Sequence, residues 1–353
     1  MKNWDVVVIG GGIIGLSLSI ELRKKGACVL VVERGEPGRE ASSAAGGMLV
    51  DCLFETPAPL QPLATASASM YPEFAYELEM ESGMKIDLRD QGTILFPFGA
   101  HTPHPAMKSA EPLPAPLAEF EPALADRNRP AFYLKERSVD PRALTQAALR
   151  AAKRREVDVS SGETVVALDL SNGRVSGVTA KKTSFLAPKV VNCAGAWSGQ
   201  IAPHAFPTRP VKGQMLCLVS PSRMLKHVIR TPEVYLIPRS DGRIIVGTTV
   251  EEAGFDKRTD VATIQRLHEA AIAVVPELRN AKILEDWAGL RPGTPDSLPI
   301  LGATSTPGYY VATGHFRDGI LLAPITARVM TDVIEGKHPE HDLAPFTPAR
   351  FSS

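Results

Sequence analysis

The stretch VVVIGGGIIG, residues 6–15, joins a predicted strand to a predicted helix with no linker between them. The β-branched run is typical of a strand buried on both faces of a parallel sheet. Gly10, Gly12 and Gly15 have the spacing G-x-G-x-x-G. The first allows a tight turn, the second lets a pyrophosphate approach the backbone, and the third lets the helix pack on the strand. The stretch therefore predicts the first turn of a Rossmann-like dinucleotide-binding domain.

The residues that follow complete a βαβ unit. The helix N-terminus, at Ile13 and Ile14, presents backbone N–H groups to the phosphates, and CVLVVE over 28–33 is a second buried strand. Glu33 ends this strand, where a carboxylate can accept hydrogen bonds from a ribose diol. The neighbouring Arg34 would suit a 2′-phosphate, but Glu33 would repel one. This fingerprint alone leaves NAD and FAD open.

The composition limits the class of protein. The chain has 353 residues, with 39 basic and 39 acidic side chains. This balance argues against nucleic acid or an anionic membrane as the main partner. No apolar run reaches the roughly 20 residues that span a bilayer, and no signal-peptide pattern opens the chain. The four cysteines are scattered, without a CxxC pair, so we expect a soluble cytoplasmic protein without a metal site.

The periodicity along the chain predicts the remaining elements. Helices are expected over 58–82, with an interruption at Pro72, and over 140–156, 260–275 and 319–335; strands are expected over 93–98, 188–198, 213–220 and 309–313, and hairpins over 163–180 and 234–249. The proline-rich stretch 99–130 is expected to be loop.

Parallel-type strands therefore occur at both ends of the chain and near its middle, with antiparallel hairpins between them. We expect an α/β fold, α+β overall, in which a Rossmann-like domain is interrupted by an antiparallel, β-rich substrate domain. The predicted nucleotide-binding domain comprises 1–87, 136–208 and 287–353, and the substrate domain comprises 88–135 and 209–286.

Five segments together resemble the D-amino-acid oxidase family of flavoproteins. They are GGGIIG with Glu33, REASSAAGGM (39–48), VVNCAGAWS (190–198), GLRPGTPDSLPILG (289–302) and GHFRDGILLAP (314–324). The last two look most like bacterial glycine oxidases of the thiamine-biosynthesis type. The resemblance covers nearly the whole chain, and it is weakest over 99–130.

The resemblance implies FAD as the cofactor. The positions that match the family's FAD-binding segments are Gly10, Gly12, Ile13, Ile14, Gly15, Glu33, Arg34, Ala41, Ser42, Gly46, Gly47, Met48, Val165, Ala194, Gly195, His315, Phe316, Arg317, Asp318, Gly319, Ile320 and Leu321. A shifted hairpin alignment would replace Val165 by Val166. No cysteine follows Cys217, which favours non-covalent FAD.

The resemblance also places the segment 315–321 along the edge of the flavin ring. The helix that follows would point its positive N-terminus at the pyrimidine end of the ring, where it stabilises negative charge. In the segment 39–48, the family pattern A-A-G-M is replaced by Ala45-Gly46-Gly47-Met48.

Four residues are expected to act on the substrate: Arg291, Arg317, Tyr235 and Met48. Arg291, fixed by the following Pro292, offers a planar fork that matches a carboxylate. Tyr235 matches a family tyrosine of the carboxylate or amine pocket, although a half-buried sheet tyrosine is nearly as good an interpretation. Trp197 and Trp287 are interpreted as packing residues.

The resemblance implies an oxidase of glycine or a related small amino acid, with molecular oxygen as the second substrate. The sequence does not rank glycine, sarcosine, N-alkyl glycines and small D-amino acids, and it leaves a thiamine-pathway or catabolic role open. A dehydrogenase that passes electrons to a quinone or carrier protein, and a non-catalytic flavin-binding regulator, remain alternatives. A homo-oligomer is also expected.

Overall fold

Six strands form a sheet that is parallel except at one edge. The computed structural model describes residues 3–51, 56–96, 111–125, 130–220 and 224–351. In spatial order the strands are β18 (Ile300–Ala303), β19 (Tyr309–Thr313), β12 (Lys189–Asn192), β1 (Val6–Ile9), β2 (Val29–Glu33) and β8 (Asp158–Ser161). Only β18 pairs antiparallel, with β19. The predicted Rossmann-like fold class is confirmed.

Successive side chains of β1 point to opposite faces of this sheet, and both faces are buried. Val6 and Val8 face a core that includes the helices, whereas Val7 and Ile9 face a second core. The helices on the first face are α1 (Ile13–Lys24), α3 (Gln61–Ser82), α5 (Pro141–Arg154) and α7 (Gly319–Glu335). The second face is covered by a small antiparallel sheet of β9 (Val165–Ser171), β10 (Arg174–Ala180) and β11 (Ser184–Leu186).

A second large sheet has seven strands. In spatial order they are β17 (Lys282–Gly293), β13 (Arg209–Val219), β16 (Arg243–Gly247), β15 (Tyr235–Pro238), β14 (Val228–Arg230), β5 (Thr93–Leu95) and β6 (Phe132–Leu134). One face packs on α6 (Val261–Val274) through residues such as Leu216 and Val246. The other face carries Met215, Ile237 and Tyr235, and it contributes to the candidate site.

The remaining α-helices and strands of the described residues are short. They are α2 (Ala41–Ala44), α4 (Leu117–Phe120) and a three-stranded sheet of β3 (Met48–Leu49), β7 (Arg137–Val139) and β4 (Leu88–Arg89). None of the described helices is long and apolar enough to cross a membrane. Within the described ranges, no three His, Cys, Asp or Glu residues are grouped as metal ligands.

Most of the predicted elements are confirmed. At the N-terminus of α5, the Asp140 carboxylate accepts hydrogen bonds from the N–H groups of Arg142 and Ala143. The interruption predicted at Pro72 is wrong, because α3 runs through it. Proline removes the N–H that would bond to the carbonyl of Ala68. Arg137 Nη1 instead donates to that carbonyl at 3.5 Å, so a tertiary contact compensates for the lost helical bond.

Other differences concern the less periodic segments. The stretch that contains GLRPG was not predicted as a strand, but it forms the end of the edge strand β17. The strand predicted over 93–98 ends at Leu95, and 97–98 lie outside the described residues. Within the predicted loop 99–130, the described part contains the single-turn helix α4. The predicted domain division stays a prediction, and β17 crosses its boundary at 287.

Candidate cofactor and substrate site

A cavity of about 700 Å³ lies between the two large sheets. The carboxyl ends of the parallel strands β1, β2, β12 and β19 open into it, and the face of the seven-stranded sheet that carries Tyr235 forms the other wall. Ligands of open α/β sheets bind at this carboxyl edge. The volume lies within the range of small-molecule and cofactor sites.

The structure brings nearly all of the predicted site residues to this one cavity. Those that line it are Gly10, Gly12, Ile13, Ile14, Glu33, Arg34, Ala41, Ser42, Gly46, Gly47, Met48, Val165, Ala194, Gly195, Tyr235, Arg291, His315, Phe316, Arg317, Asp318, Gly319 and Ile320. They come from eight separate stretches of the chain.

Two predicted cofactor residues do not line the cavity. A Cβ built on Gly15 would lie 2.0 Å from the carbonyl oxygen of Gly10, so Gly15 allows α1 to approach β1. Leu321 is 1% exposed and belongs to the core of the helical face. Both residues support the neighbouring cavity wall, and neither offers a surface to a ligand there.

The turn between β1 and α1 provides a cradle for a phosphate group. Gly10 has φ +108°, and a Cβ there would lie 2.5 Å from the carbonyl oxygen of Cys193. A Cβ on Gly12 would meet only the hydroxyl of Ser42, at 3.2 Å, on the cavity side. The N–H of Ile13 donates to Ser42 Oγ at 3.0 Å. This open helix N-terminus, with its positive dipole end, suits a pyrophosphate.

Glu33 is the last residue of β2, and it lines the end of the cavity that this strand borders. Its buried carboxylate accepts hydrogen bonds from the N–H groups of Gly11, at 2.7 Å, and Gly35, at 2.8 Å. A carboxylate has about four lone-pair sites, so these bonds leave capacity for a ribose diol. The next residue, Arg34, stacks on the Trp197 ring, with 3.5 Å between its Cζ and the ring centroid.

The N-terminus of α7 is held rigidly where it meets the cavity. Pro324 lacks the N–H that would bond to the carbonyl of Ile320, and the hydroxyl of Tyr71 donates to that carbonyl at 2.6 Å instead. His315, which precedes α7, also contacts this helix, since its Nε2 lies 3.1 Å from Oγ1 of Thr326 on α7. Burial lowers the pKa of His315 to about 3, so its imidazole is neutral at pH 7.

Arg291 projects from β17 across the neighbouring strand. Its Nη2 donates to Thr248 Oγ1 at 2.9 Å, and its Nη1 donates to the carbonyls of Thr249, at 3.2 Å, and Lys212, at 3.3 Å. A Cβ on Gly213 would lie 2.3 Å from Nη1, so only glycine leaves room there. Burial lowers the pKa of Arg291, but a guanidinium keeps its charge in proteins.

Tyr235 lies beside Arg291 on the same wall. A Cβ on Gly247 would lie 2.6 Å from the Tyr235 hydroxyl oxygen, and that hydroxyl donates to Met215 Sδ at 3.8 Å. Burial raises the pKa of Tyr235, while the charges of Arg291 and Arg317 oppose this shift. The phenol is therefore a neutral group beside two cations.

A family model described as "FAD dependent oxidoreductase", of the DAO family, matches residues 5–333. The chain belongs to the DAO family. FAD is the cofactor of this family, and the chain is accordingly an FAD-dependent oxidoreductase. The glycine cradle, the Glu33 carboxylate and the continuous cavity fit this cofactor.

The DAO-family chain is similar to individual proteins in sequence and in structure. It is 32% identical over 360 residues to the glycine oxidase of Pseudomonas putida, with 98% of each chain covered. It is 34% identical to the bifunctional protein ThiO/ThiG of Trichormus variabilis and spans about half the length (55%) of that relative. The crystal structure of glycine oxidase from Geobacillus kaustophilus superposes with a TM-score of 0.91 at 31% identity, over 99% of each chain.

Several residues of this DAO-family cavity were not predicted. Gly213 and Gly247 make room for Arg291 and Tyr235. Both glycines lie within predicted strand segments, and a glycine within a strand is a signal for close approach that could have been used. Trp197 lines the cavity, although it was interpreted as a packing residue. Arg230 also lines it, and no motif marks this residue.

Proposed function

We propose that this chain oxidatively deaminates glycine or a related small amino acid, such as sarcosine, another N-alkyl glycine or a small D-amino acid. Substrate, oxygen and water give a 2-oxo acid, ammonia or an amine, and hydrogen peroxide. FAD, bound without a covalent link, supplies the two-electron oxidation. The glycine oxidases among the relatives of similar length support this proposal.

The observation that carries the proposal is the position of Arg291. Its guanidinium is fixed by three acceptors and lines the cavity. A planar fork held in this way binds a carboxylate through two parallel hydrogen bonds. Because the surroundings are largely buried, such charge-assisted bonds are stronger than they would be in water. The substrate carboxylate is thereby oriented, and the α-carbon is held at a defined point in the cavity.

Orientation and electrostatics are the remaining contributions of the protein. The substrate amine must be neutral, because its lone pair forms the C=N bond as the α-hydrogen leaves. The neutral Tyr235 phenol and the Met48 side chain bound the pocket beside Arg291. Arg317 and the N-terminus of α7 place positive charge at the cavity, where it stabilises negative charge that develops during oxidation. No protein base is required.

The cofactor would be held by the segments that line the rest of the cavity. The turn at Gly10 and Gly12 would accommodate the pyrophosphate, and Glu33 would bind the ribose. Cys193 also lines the cavity, but burial raises the pKa of its thiol well above the ordinary value. A neutral thiol is a poor nucleophile, which supports non-covalent binding. A cytoplasmic location and a homo-oligomeric state stay predictions.

A substrate panel on the purified yellow protein tests the proposal. Glycine, sarcosine and D-alanine are compared with methylamine, which lacks the carboxylate that Arg291 would bind. Oxygen consumption with matching peroxide release for the amino acids, and none for methylamine, is expected. Loss of the yellow colour without oxygen consumption would show a dehydrogenase. A colour that none of the amino acids bleaches under anaerobic conditions would show a non-catalytic flavoprotein.

A further inference from the structure

The three groups that accept hydrogen bonds from Arg291 belong to two adjoining segments. Thr248 Oγ1 and the carbonyl of Thr249 follow the end of β16, whereas the carbonyl of Lys212 lies on β13. Thr248 and Thr249 lie beyond the last residue of β16, so the ladder of that strand does not fix their position. Other contacts must therefore hold them against β13.

The carboxylate of Glu251 provides such contacts. Its Oε1 accepts hydrogen bonds from the hydroxyl of Thr249 and, at 2.9 Å, from Nε2 of Gln214 on β13. The Thr249 hydroxyl in turn accepts from the backbone N–H of Gln214 at 2.9 Å. The backbone of Glu251 also exchanges two hydrogen bonds with that of Lys212, both at 2.9 Å. Glu251 thus connects the segment with two acceptors of Arg291 to the strand with the third.

The surroundings of this carboxylate make its contacts firm. Gln214 and Lys212 are 1% and 5% exposed, and Lys212 Nζ lies 3.8 Å from Glu251 Oε2. Burial raises the pKa of Glu251, but the hydrogen bonds from Thr249 and Gln214 and the charge of Lys212 outweigh this effect and lower the pKa below its ordinary value. The carboxylate is therefore charged at pH 7, and hydrogen bonds to a charged group are stronger than those between neutral groups.

Glu251 acts on the cavity from behind its wall. The described residues that line the cavity include Thr248 and Arg291 but not Glu251. The negative charge of Glu251 opposes the binding of a carboxylate at Arg291, whereas its hydrogen bonds hold the acceptors of Arg291 in place. Because these two effects have opposite signs, a binding measurement distinguishes them.

We propose that Glu251 is a positioning residue for Arg291. By holding Thr249 against Gln214, it keeps the guanidinium at the point where it binds the substrate carboxylate. The effect lies in binding, so it changes KM more than kcat. This inference rests on the proposed function, because it takes Arg291 as the group that binds the carboxylate.

Binding of acetate to the FAD-loaded protein tests this role without turnover. The dissociation constant is read from the perturbation of the flavin spectrum, and KM and kcat for glycine are measured in parallel. In Glu251→Ala, the acetate dissociation constant and the KM for glycine should both rise by about threefold to tenfold, with a smaller change in kcat and with FAD retained. Glu251→Gln keeps an oxygen that can accept from Thr249 and Gln214, so it should restore most of the binding.

A second variant tests the same connection from its other end. Thr249→Val removes the hydroxyl that donates to Glu251 and keeps the carbonyl that accepts from Arg291. It should weaken acetate binding as Glu251→Ala does. The double variant should bind acetate no more weakly than either single variant, because both substitutions remove one shared interaction. In the control Glu252→Ala, which changes an exposed carboxylate paired with Arg209, acetate binding and KM should equal those of the parent.

Two results would overturn the inference. One is unchanged acetate binding and unchanged KM in both Glu251→Ala and Thr249→Val, with only a lower free energy of unfolding, since the contacts would then be purely structural. The other is tighter acetate binding in both Glu251→Ala and Glu251→Gln, since only the charge of Glu251 would then reach the site. A parent that binds acetate but oxidises no amino acid would overturn the proposed function, and acetate binding in the variants would still decide the role of Glu251.

Discussion

The guanidinium of Arg291 occupies the space that a side chain at Gly213 would fill, since a Cβ there would lie 2.3 Å from Nη1. The lack of a side chain at Gly213 on β13 thus leaves the space in which the guanidinium of Arg291, on β17, lies. The substitution Gly213→Ala should push the guanidinium away from Thr248 Oγ1. We expect the KM for glycine to rise by about tenfold or more, with an unchanged flavin spectrum. Parent-like kinetics in this variant would mean that the position of Arg291 is unimportant for the substrate.

Gly12 gives a matching prediction for the cofactor. A leucine there would project toward Ser42 and into the space assigned to the pyrophosphate. Gly12→Leu should therefore purify as a colourless protein, and added FAD should not restore the absorbance. Circular dichroism should show an intact fold, because a Cβ at this position meets only the Ser42 hydroxyl among the described residues and the rest of the side chain extends from the cavity wall. A yellow Gly12→Leu protein would contradict the assigned cradle.

The hydrogen bond from Tyr71 to Ile320 predicts a stability effect. Tyr71→Phe would leave the carbonyl freed by Pro324 buried without that donor, which costs about 1–3 kcal/mol of unfolding free energy. Urea denaturation at saturating FAD measures this difference. The control Tyr76→Phe changes a tyrosine on the same helix that is 62% exposed, and it should have almost no effect. Equal stabilities of the two variants would contradict this role of Tyr71.

His315 predicts a dependence of stability on pH. Burial lowers its pKa to about 3, whereas a histidine of the unfolded chain titrates near about 6.5. Between these values the unfolded state binds a proton that the folded state does not. The free energy of unfolding therefore does not depend on the titration of His315 above about pH 6.5. As the pH falls from there toward 3, this group lowers the free energy of unfolding by about 1.4 kcal/mol per pH unit.

The variant His315→Gln should reduce this slope, as measured by urea denaturation at several pH values between about 7.5 and 5. The control His338→Gln changes an exposed histidine and should leave the slope as it is in the parent. If His315→Gln and the parent lose stability equally as the pH falls, His315 takes up its proton in the folded state, contrary to its burial.

The fold was predictable because its decisive signals are local. The β-branched run before Gly10 and the spacing of Gly10, Gly12 and Gly15 specify strand, turn and helix within ten residues. The continuity of α3 through Pro72 was not predictable in this way. It depends on Arg137, which is distant in sequence and donates to the freed carbonyl.

The candidate site was predictable where a motif marks the residue. Arg291 has the rigid GLRPGT context, and it lines the cavity as expected. Arg230 also lines the cavity without such a context, because its place there comes from the pairing of β14 with β15 opposite Tyr235. Strand pairing between short segments depends on the whole sheet, and a pattern of neighbouring residues does not contain it.

Steady-state kinetics of Arg291→Ala and Arg291→Lys with glycine test whether Arg291 binds the substrate carboxylate. We predict that kcat/KM falls by more than about tenfold in Arg291→Ala, that lysine restores only part of it, and that acetate ceases to be a competitive inhibitor. FAD content should stay unchanged in both variants. If Arg291→Ala oxidises glycine as well as the parent does, or if an amine without a carboxylate is the better substrate, the proposed function is contradicted.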